Sequence, residues 1–154
     1  MAAEQVKLAV QEEDFDLGAE VAALAAGRGD VGAVVTFTGL VRDLHADGAS
    51  AMTLEHYPGM TEKALGEIAE EARTRWPLTG LTLIHRVGRL AAGDRIVLVA
   101  TASRHREAAF EAAAFLMDYL KTRAPFWKRE ETPDGARWVA ARDSDDRAAA
   151  RWRG

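Results

Sequence analysis

Two lysines on either side of a proline are the residues of this chain whose spacing best suits chemistry. Lys121 lies one helical turn after Met117, near the end of a predicted helix, and continues an apolar stripe. Lys128 follows beyond Pro125, on a predicted strand. The turn between them could bring both amines into one partly apolar pocket, where burial and a neighbouring cation favour the neutral, reactive form. The spacing leaves an alternative open, in which Lys121 caps the helix end and Lys128 is solvated.

A second basic group lies at the start of the same predicted helix. His105 and Arg106 come just after Ser103, at a strand-to-helix junction. The first turn of a helix has unpaired N–H groups and a favourable dipole for anions, so basic residues there are explained by an anionic ligand. Arg42, beyond a strand end, is a third candidate for binding phosphate. The alternative is that these are exposed, solvated side chains.

Several kinds of site are absent from the sequence. The chain has no cysteine, which excludes disulfides, thiolate metal sites and cysteine nucleophiles. No histidine pair has metal-ligand spacing, so we predict no metal, and there is no phosphate-binding glycine loop or nucleophile elbow. His56 and His85, within predicted strands, are expected to be packed or hydrogen-bonded, and His45 lies in a predicted loop.

Length and composition indicate an ordinary globular protein. The 154 residues fit one domain spanning 1–154, and the net charge of -4 argues against a general nucleic-acid binder. No apolar run approaches the ~20 residues of a membrane helix, and the N-terminus does not resemble a signal peptide. We therefore expect a cytoplasmic protein.

Hydrophobic periodicity and turn residues predict an α+β fold that positions these side chains. The predicted helices cover residues 17–26, capped by Asp16, about 61–76, capped by Thr61, and about 104–123. The predicted strands cover residues 6–10, 32–39, 51–57, 81–87, 95–101, 126–131 and 136–139. Residues 40–50 read as a mobile loop, and the tail from Ala141 as a short helix or a disordered segment. This order predicts a two-layer domain with helices packed on a largely antiparallel sheet.

Four sequence blocks resemble the large subunit of molybdopterin synthase, the MoaE family. They are VVTFTGLVR at 34–42, LEHYPGM at 54–60, IHRVG at 84–88 and MDYLKTRAPFWK at 117–128. The resemblance runs in order from about residue 32 to beyond residue 138, while the first 30 residues match only loosely. It implies an α/β hammerhead fold, which is compatible with the α+β prediction.

The resemblance also implies a reaction and its partners. A cyclic pyranopterin monophosphate receives two sulfur atoms and becomes the dithiolene of molybdopterin. The sulfur comes from a small ubiquitin-like subunit, MoaD-like, whose C-terminal Gly-Gly carries a thiocarboxylate. The large subunit is a homodimer, and with two small subunits it forms a heterotetramer. No permanently bound cofactor is implied, which agrees with the absence of cysteine because the donor sulfur belongs to the partner.

Carried over by motif, Lys121 and Lys128 resemble the family's two catalytic lysines. We expect Lys121 to lie near the partner's terminal glycine, to activate the thiocarboxylate or transfer protons, and Lys128 to hold or protonate the substrate. The resemblance assigns the remaining substrate-binding positions to Leu40, Val41, Arg42, His105, Arg106, Arg129, Glu130 and Arg142. Arg142 is expected to reach the neighbouring subunit's site. Leu40 stands where relatives carry lysine, so a contact there can involve only its backbone.

Three other interpretations remain open. The chain could be a non-catalytic adaptor for the ubiquitin-like tail, which would need no lysine pair. It could bind single-stranded nucleic acid through Phe126, Trp127, Lys128 and Arg129, although its net charge of -4 counts against this. It could also use another sulfur carrier. Because the sequence ends without a Gly-Gly of its own, we expect the carrier to be a separate chain.

Overall fold

The structure is a computed structural model that describes residues 5–42, 51–132, 135–139 and 143–153. The predicted loop with His45, and the predicted site residue Arg142, lie outside these ranges. In chain order the elements are β1 Gln5–Gln11, α1 Leu17–Ala25, β2 Ala33–Leu40, β3 Ala51–His56, α2 Met60–Arg75, β4 Leu78–Arg86, β5 Gly88–Leu90, β6 Arg95–Ser103, α3 Arg106–Arg123, β7 Phe126–Thr132, β8 Gly135–Val139 and α4 Asp143–Ala150.

The strands form two four-stranded sheets instead of the one sheet predicted. The first sheet has the order β1-β4-β6-β2, and the second has the order β5-β3-β7-β8. Strand β1 is parallel to β4, whereas the other pairs are antiparallel. Strand β5, which was not predicted, pairs with β3 through only three residue pairs. The α+β class is confirmed, with helices packed on sheets that are mostly antiparallel.

The main core lies between the first sheet and the helices α2 and α3. Apolar residues alternate along β4 and β6, so Leu81, Leu83, Val97 and Val99 face these helices. The opposite face of the same strands contributes Ile84 and Leu98 to a smaller core under α1. Helix α3 buries Phe115, Leu116 and Tyr119 almost completely, which fixes the helix that carries Lys121.

The structure confirms one of the two predicted helix caps and contradicts the other. Asp16 caps α1 as predicted, accepting the Ala19 N–H at 3.0 Å. Helix α2 instead begins at Met60, and the Glu62 carboxylate accepts the N–H of Gly59 at 2.6 Å. The predicted cap, Thr61, lies inside the helix, and its hydroxyl bonds to Tyr57 and Pro125 instead.

The C-terminal segment is helical, which decides between the two predicted alternatives for its described part. Just after α4, the Trp152 indole donates to Asp118 on α3 at 2.7 Å, and its ring packs edge-on against Trp76 and Phe115. The tail is therefore anchored on α3 and the end of α2, and Ala149 of α4 joins the main core. Among the described residues, no helix is long and apolar enough to cross a membrane.

Candidate active site

A short junction joins the helix that carries Lys121 to the strand that carries Lys128. Helix α3 ends at Arg123, and β7 begins just after Pro125. The Thr61 hydroxyl donates to the carbonyl of Pro125 at 3.2 Å and accepts the Tyr57 N–H at 3.0 Å. Since Thr61 is fully buried, the start of α2 fixes the position of the junction between the two lysines.

The register of the second sheet places Lys128 on the same face as Phe126. Alternate residues of a strand point to the same face, and directly paired residues share a face. Lys128 pairs with Leu54, and Phe126 pairs with His56. Because Leu54 is buried, this face is the inner one, and Lys128 lies at its exposed margin. Lys121 is also exposed, so the amines of both lysines are accessible.

His85 lies where the two sheets meet, and the charges of both lysines act on its ring. Its ring stacks on Phe126 with centroids 3.7 Å apart and planes inclined by 14°. The pKa of His85 is lowered from 6.5 to about 4, chiefly because burial penalises the charged ring. A hydrogen bond to the Arg86 carbonyl opposes the shift, while the positive charges of Lys128, Lys121 and His56 add to it. The structure therefore brings both predicted catalytic lysines near one neutral imidazole.

The shifted pKa of His85 predicts acid sensitivity. Between pH 6.5 and about pH 4, the unfolded state binds a proton at His85 that the folded state does not. The free energy of unfolding should therefore fall as the pH decreases through this window, by at most about 3 kcal/mol from this group. Denaturant unfolding at the two ends of the window measures the loss. His85→Gln, which cannot titrate, should lose less stability than the wild type, and an equal loss would contradict the assignment.

Arg129 and Glu130 fall on opposite faces of β7. Glu130 shares the face of Lys128 by alternation, whereas Arg129 points the other way. On that outer face the guanidinium of Arg129 lies 3.8 Å from the Glu55 carboxylate and 5.8 Å from the centre of the Trp138 ring. Of these two predicted binding residues, the structure brings only Glu130 to the side of Lys128.

The predicted segment 40–42 presents only two of its three side chains to solvent. Val41 is 4% exposed, and its N–H and carbonyl bond to Asp94 and Gly93 at 2.9 and 2.8 Å. Its side chain joins the small core of the second sheet, formed with Met52, Leu54 and Leu90. The side chains of Leu40 and Arg42 are exposed. Val41 therefore anchors the end of β2, while its neighbours are accessible to a ligand.

His105 and Arg106 lie at the opposite end of α3 from Lys121. Arg106 is the first helical residue, and at about 1.5 Å per residue Lys121 lies about 22 Å farther along the axis. His105 lines a separate open cleft of about 620 Å³, together with Arg28 and Asp30. Gly32 packs against this turn so closely that a Cβ there would lie 2.1 Å from the carbonyl oxygen of Arg104. Within one chain, the structure does not bring the two basic groups together.

The residues around the lysine pair suit reactions of anions. Two exposed amine side chains can bind anionic groups, since lysine carries a positive charge on a flexible side chain. The neutral imidazole of His85 adds a hydrogen-bond acceptor without a charge. The sequence predicts His85 only as a packed or hydrogen-bonded residue. Its packing and its hydrogen bond are both confirmed. Its contact with Phe126 could not be predicted, because it joins residues of two different sheets.

Comparisons with known proteins agree with the sequence blocks. A family model described as MoaE protein matches residues 10–123. The molybdopterin synthase catalytic subunit of Ralstonia nicotianae is 62% identical over 144 residues, covering 93% of this chain and 82% of the relative. The protein of the same name from Escherichia coli is 60% identical over 149 residues, covering 96% of this chain and 99% of the relative.

Solved structures indicate the same family as the sequence comparisons. The structure of the molybdopterin biosynthesis MoaE protein from Burkholderia ambifaria matches with a TM-score of 0.82 and 56% identity, over 96% of this chain and 98% of that one. The family model covers well over half of this chain, and the similar proteins match nearly all of it. The resemblance inferred from the sequence blocks is confirmed: the chain belongs to the MoaE family.

Proposed function

We propose that the chain is the catalytic subunit of a molybdopterin synthase. It transfers sulfur from the thiocarboxylated C-terminus of a small ubiquitin-like subunit to cyclic pyranopterin monophosphate, and the product is the dithiolene of molybdopterin. The observation that carries this proposal is the match of nearly the whole chain to molybdopterin synthase catalytic subunits, in a chain that keeps the two motif lysines, Lys121 and Lys128, on either side of one short helix–strand junction.

The chemistry of the substrates fits this site. The pterin carries a phosphate and the sulfur donor is a thiocarboxylate, so both are anions at about pH 7. Two ammonium groups can hold them together against their mutual repulsion, and charge-assisted hydrogen bonds fix the reacting carbon near the sulfur. In the proposed division of roles, Lys121 acts at the partner's terminal glycine and Lys128 at the pterin. The proposal assigns Arg42, which is exposed, and Glu130, which shares the face of Lys128 on β7, to the pterin side.

The absence of cysteine supports delivery of sulfur by a partner. The chain has no thiol of its own that could carry sulfur as a persulfide. Each partner molecule brings one sulfur atom, so two thiocarboxylates are consumed for each dithiolene. The proposal therefore includes a separate MoaD-like subunit as the sulfur donor. It also includes no permanently bound cofactor or metal, and it places the reaction in the cytoplasm.

The distance along α3 supports a site completed by a second copy of the chain. If His105 and Arg106 bind the same substrate as Lys121, about 22 Å of helix must be bridged. In a two-fold dimer, the start of α3 from one subunit can face the end of α3 from the other, and the arrangement repeats twice by symmetry. We therefore include a homodimer, and a heterotetramer with two small subunits, in the proposal. In the proposed dimer, Arg142 reaches the neighbouring subunit's site.

Mixed dimers test whether the site is shared. Lys121→Ala and Arg106→Ala chains should each be nearly inactive alone. When equal amounts are unfolded and refolded together, half of the dimers carry both variants, and one of their two sites is intact. The mixture should therefore recover about one quarter of the wild-type rate. A rate no higher than the average of the two separate variants would show that each site is built within one chain.

The proposed activity is tested by reconstitution. Purified chain, thiocarboxylated small subunit and cyclic pyranopterin monophosphate should give molybdopterin, identified by mass spectrometry, and omission of any component should abolish it. Tight binding of the small subunit without product would instead favour the adaptor interpretation. Salt-dependent binding of single-stranded RNA or DNA, without product, would favour the nucleic-acid interpretation.

A further inference from the structure

The imidazole of His85 connects the two sheets at the lysine pair. His85 belongs to β4 of the first sheet, and Phe126, on which it stacks, begins β7 of the second. Phe126 also follows the short junction after α3, the helix of Lys121. The stack therefore holds the start of β7 against β4, and the separation between the two lysines depends on it.

The hydrogen bond of His85 defines which ring nitrogen carries the proton. Nδ1 lies 2.8 Å from the carbonyl oxygen of Arg86. A carbonyl oxygen only accepts, so Nδ1 is the N–H donor, and in a neutral ring Nε2 is then a bare acceptor. The two nitrogens point to different sides of the ring, so Nε2 faces away from the Arg86 carbonyl.

Lys128 is the donor best placed to use that acceptor. Phe126 and Lys128 share one face of β7 and are two residues, or about 6.6 Å, apart along the strand. The ring of Phe126 lies on His85, so the side chain of Lys128 leaves the strand on the side of His85. Among the charges that act on the His85 ring, that of Lys128 has the largest effect, ahead of Lys121 and His56.

We propose that His85 is a positioning residue of the sulfur-transfer site. Its bare Nε2 accepts a hydrogen bond from the Lys128 amine. Its stack on Phe126 holds the start of β7, and with it Lys128, in place relative to Lys121 on α3. A neutral acceptor suits this position because it orients the ammonium without cancelling the charge that an anionic substrate needs. A carboxylate in the same place would pair with Lys128 and compete with the substrate. This inference rests on the proposed function of the site.

Two replacements of His85 distinguish a positioning role in the reaction from a purely structural role in folding. His85→Phe keeps an aromatic ring for the stack but has no acceptor, whereas the amide oxygen of His85→Gln can occupy the place of Nε2. We expect kcat/KM per folded protein to fall by about tenfold to a hundredfold in His85→Phe, the usual effect of losing a hydrogen bond to a charged group. His85→Gln, which restores the acceptor but not the aromatic stack, should recover part of that loss. A purely structural role would lower the folded fraction of both variants and leave the rate per folded site unchanged.

A double-mutant cycle shows whether His85 acts through Lys128. In the Lys128→Ala background, His85→Phe should have almost no further effect on the residual rate, because the donor is already absent. Equal fold-losses in both backgrounds would overturn the proposal. If wild type makes no product at all, the proposed function fails and this role fails with it. Wild-type product without coupling would overturn the role of His85 alone.

A measurement on the wild type does not depend on how the variants fold. The nitrogen chemical shifts of a ¹⁵N-labelled histidine distinguish an N–H from a bare nitrogen. At about pH 7, His85 should be neutral, with Nδ1 protonated and Nε2 bare. A charged ring or the opposite tautomer would leave no acceptor at Nε2 and would overturn the proposal.

Discussion

Lys121→Ala is expected to lower the single-turnover rate of sulfur transfer by about a thousandfold, within the range seen for loss of a general acid, base or nucleophile. The replacement removes the amine that we place at the partner's thiocarboxylate. Lys121 is exposed at the end of α3, and the truncation leaves the buried Phe115, Leu116 and Tyr119 in place. The rate should therefore fall without a matching loss of stability.

The measurement is the formation of product in one turnover, with enzyme in excess over the pterin. The chain has only four lysines, and Lys63→Ala is a matched control because Lys63 is also an exposed lysine on a helix. Lys121→Arg separates two possible roles, since arginine keeps the charge but does not act as a base. A wild-type rate for Lys121→Ala, equal to that of Lys63→Ala, would exclude Lys121 from the reaction.

Lys128→Ala is expected to lower kcat/KM for the pterin by about a hundredfold, the effect of losing one charge-assisted contact that also orients the substrate. Most of the loss should appear in KM if Lys128 holds the substrate, and in kcat if it protonates it. Lys128→Arg should recover binding but not proton transfer.

Steady-state kinetics at saturating small subunit measure this effect. The affinity for the small subunit, measured separately by calorimetry, should be nearly unchanged, because Lys128 is placed at the pterin. Lys63→Ala again serves as the control. Loss of partner binding with an unchanged KM for the pterin would place Lys128 in the protein interface and contradict the assignment.

The local parts of the site could be predicted from the sequence. Pro125 cannot continue a helix, and the β-rich residues after it favour a strand, so the helix–turn–strand order around the lysines is a local property. The observed bounds of α3 and β7 agree with that prediction. The apolar stripe through Met117 on α3 was predicted less well, because Met117 is only partly buried and Phe110, two turns earlier, is 62% exposed. The buried face of the helix is formed by Phe115, Leu116 and Tyr119 instead.

The pairing of the strands could not be predicted in the same way. Strand β1 pairs in parallel with β4, more than 70 residues away, and no local pattern specifies that partner. Strand β5 has three residues, which is too short for a periodic pattern. The division into two sheets, and the stack of His85 on Phe126 that bridges them, follow from these distant pairings. The placement of Arg129 on the outer face likewise depends on the observed register of β7.

Isotope labelling follows the sulfur from the small subunit to the pterin. The small subunit is prepared with its thiocarboxylate labelled with heavy sulfur and mixed with the purified chain and unlabelled pterin. We predict that molybdopterin acquires two heavy sulfur atoms and that the small subunit returns as its carboxylate, only when the chain is present. Product without label, or the same product without the chain, would contradict sulfur transfer by this protein.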